Sequence, residues 1–258
     1  MSIKFTILGC GSSMGVPRPD GYWGNCDPKE IKNYRTRCSG MISNNNMNIL
    51  FDTSPDLRSQ LIREKIKFVD KVFYSHGHAD QTHGINDLRT FYLKKRKKID
   101  VYTNLHTRKY LKKNFSYCFF DKKEYPAILN LKSSKNKITF SNNKNKIIIK
   151  SIEVKHGAIN CLAFIINDKC AYASDINKIY KKDLKKFLNL KYFVVDCLQD
   201  APHPSHFSLI EVLNLVEKIK PKKTFLTNLH SDLDYNYLLK ILPKNVKPAH
   251  DGLSFYIK

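Results

Sequence analysis

Acidic side chains are scarce in this chain: 23 Asp and Glu stand against 45 Lys and Arg, a formal net charge of +22 over 258 residues. A shortage of that size would ordinarily point to a nucleic acid, an anionic membrane or an acidic ligand as partner. The lysines, however, are scattered through "FYLKKRKKID", "SSKNKITFSNNKNK" and "NKIYKKDLKKF" among asparagine and isoleucine. That pattern reads as a compositional bias with lysines on solvated faces. No Cys-x-x-Cys pair occurs among the seven cysteines. Their odd number, in a chain too long to need stapling, argues against a disulfide framework and for a reducing, cytoplasmic setting. Nowhere do about 18 apolar residues follow one another, which excludes a membrane-spanning helix, and the apolar run in "MSIKFTILGCG" is too short for a signal sequence. Long linkers and short-period repeats are also missing. "LGCGSSMG" lacks the spacing of a dinucleotide-binding turn, and "VPRPDGYWG" after it cannot open a helix.

What is present is a series of short β-branched or aromatic runs that end abruptly in polar residues: "KFTILG", "MNILFD", "KVFYSH", "IDVYT", "NKIIIKSIEVKH", "CLAFII", "CAYASD", "YFVVD" and "KTFLTNLH". These read as strands. Helical patterning is expected over residues 54–65, 103–115, 177–188 and 208–220. The last of these has the clearest start, with Ser208 and Glu211 in capping-box spacing and Pro221 at the far end. Residues 132–146, rich in Asn and Lys, are the weakest-patterned stretch and suggest a hairpin tip or a join between two halves. Strands and helices mixed in this way predict stacked sheets covered by helices.

Chemistry concentrates in "YSHGHADQTHGIND", which packs His76, His78, Asp80, Gln81 and His83 into one segment after a strand. Imidazole and carboxylate hold zinc, manganese or iron, and histidines two apart on an extended segment project to the same side. Four more such groups close predicted strands: Asp52 in "NILFD", His156 in "KSIEVKH", Asp175 in "CAYASD" and His230 in "KTFLTNLH". Strand ends gathered at one edge of a sheet commonly build an active site.

The series "LGCGSSMGVP", "FDTSPDLR", "SHGHADQTHGINDLR", "VKHG", "YASD", "HPSHFSL", "TNLHSDLDY" and "PAHDGL" resembles the metallo-β-lactamase-fold hydrolases over residues 3–257. Within them it is most similar to the branch related to phosphoribosyl cyclic phosphodiesterase and, more distantly, to the tRNA 3′-processing nuclease. The resemblance implies an α/β fold, a single domain over residues 1–258 built as an αββα four-layer sandwich of two mixed β-sheets flanked by helices. It also implies two divalent ions, Zn or Mn. His76, His78 and His156 would hold the first, Asp175 would bridge, and Asp80 with His230 would hold the second. Asp52 would support the ligand loops, and a metal-bound hydroxide, oriented by Asp80, would attack phosphorus. His206, or less favourably His203, would assist the departing oxygen. Arg58 and Arg89 are candidates to meet phosphate, since a guanidinium fork fits it bidentately.

Two departures from the family pattern stand out. Gln81 replaces the histidine that ends the H-x-H-x-D-H motif and as a ligand would offer only a weaker amide oxygen, so the second ion is expected to bind weakly or to be a harder cation, while His83 lies too late to take over. Cys26 and Cys38 are too far apart to rebuild the extra zinc cluster of some relatives. The reading is therefore a phosphodiesterase acting on a small cyclic or nucleotide-like phosphodiester. It allows a homodimer and expects no membrane partner. A nuclease acting on RNA or DNA ranks second, and a non-catalytic protein that kept the fold comes from a different class.

Overall fold

The short apolar runs assemble into two seven-stranded sheets in a computed structural model that describes residues 3–44, 47–132, 135–142 and 145–257. The first sheet contains β1 (Ile3–Gly9), β2 (Ser39–Asn44), β3 (Met47–Phe51), β4 (Lys71–Phe73), β5 (Ile99–Tyr102), β6 (Leu129–Leu131) and, from the end of the chain, β14 (Ser254–Ile257). Its order is β14-β1-β2-β3-β4-β5-β6. The second contains β7 (Lys137–Asn142), β8 (Asn145–His156), β9 (Ile159–Ile166), β10 (Cys170–Ala173), β11 (Tyr192–Asp196), β12 (Lys223–Thr227) and β13 (Val246–Pro248). These follow in reverse sequence order from β13 to β7.

Both sheets are mixed, which sets where the site lies. Strands β3 to β6 pair in parallel, as do β10 to β13. Strand β8 is antiparallel to β9, which is antiparallel to β10, so β8 ends at the same edge as β10. The carboxyl ends of all these strands are therefore available for one crevice, the usual ligand position in open α/β sheets.

Alternation along the strands separates three cores. Between the sheets Phe5, Phe51 and Phe73 meet Phe164, Tyr172 and Phe225, with the Phe51 ring 5.1 Å from Phe164 and 5.7 Å from Tyr172. Outside the first sheet pack α1 (Leu57–Arg63), α3 (Arg89–Lys95), α4 (Leu105–Asn114) and α5 (Ser116–Phe119), through Leu57, Leu61, Phe91, Leu111 and Cys118. Outside the second pack α6 (Leu209–Ile219) and α7 (Tyr235–Ile241), through Leu209, Val212, Val216, Ile219 and Leu238. A single turn, α2 (Ala79–Thr82), carries part of the histidine loop. The expected four-layer αββα arrangement is the one observed.

The capping box closes, with Ser208 N donating to Glu211 Oε2 at 2.8 Å, and Lys220 adopts the left-handed conformation before Pro221. The helix expected over 177–188 is instead a 3-10 stretch, Lys181–Phe187, after an extended Tyr180. Only Asp183, Leu184 and Phe187 turn inward there while its four lysines stay exposed, too narrow an apolar stripe to hold an α-helix down. Residues 132–146 belong to a hairpin, β7 pairing with β8, although 133–134 and 143–144 lie outside the described residues. All seven cysteines are free and buried, and no helix among the described residues is long and apolar enough to cross a membrane.

One buried cation ties the amino-terminal loop to the end of the second sheet. Arg35, 1% exposed, donates to Leu233 O at 2.7 Å, His230 O at 3.2 Å and Asn33 Oδ1 at 3.0 Å. Leaving buried carbonyls without donors costs about 1–3 kcal/mol each. The substitution Arg35→Leu should therefore lower unfolding free energy by about 1–3 kcal/mol in a denaturant titration, since the Leu233 carbonyl loses its donor while His230 O keeps the Leu233 N–H.

Candidate metal centre

Each functional side chain leaves the end of a strand or the loop just after it. Asp52 follows β3 in the left-handed conformation, φ 59°, a turn that aims its carboxyl under the next strand's loop. It is fully buried, and its Oδ1 accepts from Ser75 N at 2.7 Å while Oδ2 has no partner. Burial pushes its carboxyl up to about 8, against the pull of the Ser75 bonds. Ser75 in turn faces His76, Oγ to Nδ1 at 3.0 Å. Asp52 thus holds the amide of Ser75, the residue just before His76.

Three imidazoles converge. His76 and His78 from the loop and His156 from the last position of β8 place one ring nitrogen each within 4.8 Å of the others. His76 and His156 are buried, whereas His78 is exposed and leaves an open side. Burial drives His76 well below the usual imidazole range, helped by His156 and His78, and holds His156 down at about 4, helped by His206. Neutral rings keep the lone pairs that a metal needs. His156 Nδ1 bonds Ser205 O at 2.8 Å, which orients the ring and leaves Nε2 free. Gly157 permits this approach: it has φ 56°, and a Cβ there would sit 2.8 Å from Ser205 Cβ. This donor set fits a divalent ion.

A second group joins His156, Asp175 and His206 within the same 4.8 Å. His206 Nδ1 bonds Asp196 Oδ2 at 2.6 Å, and Asn228 Nδ2 donates to Asp196 Oδ1 at 3.2 Å. Burial alone would lower His206, but Asp196, with smaller help from Asp175 and Asp80, raises it to about 9. His203 stands behind it, ring centroids 5.1 Å apart, with Nδ1 near Ser205 Oγ at 3.2 Å.

The ligands expected for a second ion behave differently. Asp80, Asp175 and His230 do not form such a group among the described residues. Gln81 is buried, and its Nε2 donates to Asp80 Oδ2 at 3.1 Å and to Asp175 Oδ2 at 3.0 Å. His230 Nε2 lies 2.9 Å from Arg18 Nη2, and its Nδ1 lies 2.9 Å from Asp232 Oδ2. In the first set His76 Nε2 and His78 Nδ1 engage only each other, 2.9 Å apart, whereas here the partners are an arginine and an amide, so this set does not fit an ion as the first does.

Arg58 and Arg89 are not brought to the histidines by any contact described here. Arg58 lies on α1 beside Asp87, in a groove with Leu61, Thr90 and Phe91, and Arg89 lies over the Tyr125 ring at 4.4 Å. Helical residues pack outward here, which is why the phosphate-binding expectation finds no support. His83 is exposed against Phe115, apart from both groups. Cys26 and Cys38 are buried separately, next to Arg35 and Thr227. Sequence reading passed over Asp196, Asn228 and Arg18. Asp196 closes "YFVVD" and carries the same strand-end signal as Asp52 and Asp175; Arg18 sits in a loop with no periodic signal at all.

A family model for the β-lactamase superfamily domain matches residues 47–228, more than half of the chain. A crystal structure of a new diphosphatase from the PhnP family superposes with a TM-score of 0.88 at 28% identity, covering 100% of this chain and 98% of that one. Zinc-bound PqqB from Methylobacterium extorquens shares the fold, with a TM-score of 0.74 at 15% identity over 98% of this chain and 99% of the other. An octanoyltransferase of Porphyromonas gingivalis (strain ATCC BAA-308 / W83) is 26% identical over 259 residues, covering 99% of this chain and 52% of that protein. The chain thus spans about half the length of that curated relative.

Asp52 makes a pH-dependent prediction. Its folded carboxyl keeps a proton up to about 8, whereas an unfolded one loses it near about 3.9. Between these values the folded state binds more protons, so stability falls as pH rises, by up to about 1.4 kcal/mol per pH unit. Asp52→Asn tolerates the left-handed backbone and still accepts from Ser75. Melting curves from about pH 5 to about pH 9 should decline less steeply for the variant than for the native chain.

Proposed function

The chain belongs to the β-lactamase superfamily domain family, and from that premise we propose that it is a metal-dependent hydrolase whose substrate is a small phosphodiester. The observation that carries the reading is the His206–Asp196 pair, 2.6 Å apart, beside the three-histidine cluster. Similarity to a PhnP-family diphosphatase at 28% identity supports phosphorus chemistry.

His76, His78 and His156 would hold a zinc or manganese ion, which would supply Lewis acidity and lower the pKa of a water. The chain's own groups do the rest. Asp196 accepts from His206 Nδ1, which leaves the proton on Nε2 for the departing oxygen. Asp175, grouped with His156 and His206, sets a carboxyl beside that proton. Asp80, tied to Asp175 through Gln81, orients the attacking water. His203 backs the His206 ring.

A nuclease reading rests on the more distant resemblance to the tRNA 3′-processing nuclease and on the +22 charge, which is spread along the chain. Octanoyl transfer is a property of a protein twice as long. Transfer through a thioester would need an exposed reactive thiol, and all seven cysteines are buried.

Protein loaded with zinc or manganese should hydrolyse bis-p-nitrophenyl phosphate and lose that activity to a chelator. His206→Asn should lower kcat by about 10²–10⁴-fold with metal content unchanged by mass spectrometry. Metal-loaded protein that turns over no diester, diphosphate or short RNA would retire the hydrolase reading in favour of a binding protein.

A further inference from the structure

The position of the second cation is already claimed by protein atoms. A carboxylate such as Asp232 only accepts, so His230 carries its proton on Nδ1 and presents the Nε2 lone pair to Arg18. That is the lone pair an ion would need, and it cannot serve both. At the other end, the Gln81 amide donates to one oxygen of Asp80 and one of Asp175, the two carboxylates expected to share the second ion. A histidine at position 81 would offer an acceptor there; in this structure the amide nitrogen faces the two carboxylates, and Gln81 Oε1 is buried without a partner.

Arg18 is held for this role. Its N–H donates to Tyr22 O at 3.0 Å, Gly21 N returns a bond to Arg18 O at 2.9 Å, and the guanidinium lies over the Tyr22 ring at 4.8 Å. The loop that carries it is tied by paired backbone bonds between Val16 and Arg35, and Arg35 holds the carbonyl of His230. Two arginines therefore grip the same residue, one at its backbone and one at its ring. Arg35 spends both terminal nitrogens on protein acceptors, whereas among the described residues Arg18 spends only Nη2, on His230; neither forms an ion pair, and the Nε of each is buried without a partner. A half-buried guanidinium with unused donors and no counter-ion is a receptor for an anion, and phosphate matches its fork.

We propose that this centre holds one resident ion, at His76, His78 and His156, and that Gln81 and Arg18 replace the second, with Arg18 meeting a phosphoryl oxygen of the substrate. The phosphoryl contact rests on the hydrolase reading above; the ion count does not. The consequence is a site whose second positive charge cannot be removed by chelation.

Native protein reconstituted with excess zinc or manganese and then freed of unbound metal should retain one ion per chain by native mass spectrometry and elemental analysis. Two equally tight ions would overturn the proposal. The double variant Arg18→Ala/Gln81→His, which frees His230 and restores an imidazole, should retain two; a folded double variant that stays at one would show that these residues are not what excludes the ion. Should it fail to fold, the native count decides. Calorimetric binding of inorganic phosphate to the metal-loaded protein should weaken at least tenfold in Arg18→Ala with metal content unchanged, and recover in part in Arg18→Lys. Unchanged phosphate affinity would remove Arg18 from the substrate site, while loss of diester turnover with the ion count intact would fault only the hydrolase reading.

Discussion

The packing of one aromatic layer against another fixes where everything else in this protein can be. Phe5, Phe51 and Phe73 on the first sheet interlock with Phe164, Tyr172 and Phe225 on the second, with no polar group able to slide between them. Strands locked face to face cannot shift register without exposing a whole side. Their carboxyl ends are thereby held at one edge, and Asp52, His76, His156, Asp175, Asp196 and His230 are delivered there from positions spread over most of the chain. The helices outside the sheets contribute burial but almost none of the chemistry.

Delivering so many ionisable groups to a buried edge creates an electrostatic problem that the site's hydrogen bonds answer. Burial opposes charge on Asp52, Asp175 and Asp196 alike, and raises all three. Asp196 is compensated by His206 and Asn228, Asp52 by the Ser75 amide, and Asp175 by the Gln81 amide. His76 and His156 are pushed toward neutrality, which suits them as donors. His206 alone is raised, because its nearest neighbour is a carboxylate. Environment thus divides the histidines at one edge, with His76 and His156 held neutral and His206 held charged.

Much of this architecture was legible because strand signals are local. Nine apolar runs correspond to strands, and the rule that a polar group at a strand end belongs to the site found Asp52, His156, Asp175 and His230, and would have found Asp196 too. Strands β2, β6, β7, β13 and β14 were not legible: they are short, or half-polar like "KITFSN", and form only because a neighbour offers an edge. The stretch around Lys181–Phe187 has helical composition, yet its contact with the core is too narrow for a full helix. Arg58 and Arg89 looked like phosphate ligands by residue type, and their outward packing on helices could not be read from their neighbours in sequence.

The sequence by itself determined that a metal-capable cluster would form, since H-x-H-x-D after a strand, followed by His, Asp and His at later strand ends, sets donor types by residue and order. It also determined the layered α/β fold, through the alternation of short apolar runs with amphipathic stretches. Only the tertiary structure decided which of those ligands keep a free lone pair. Arg18 and His230 are 212 residues apart, and Gln81 and Asp175 are 94 apart. A hydrogen bond across such a separation leaves no periodic trace in the chain, because it depends on two sheets meeting at one edge rather than on anything near either residue.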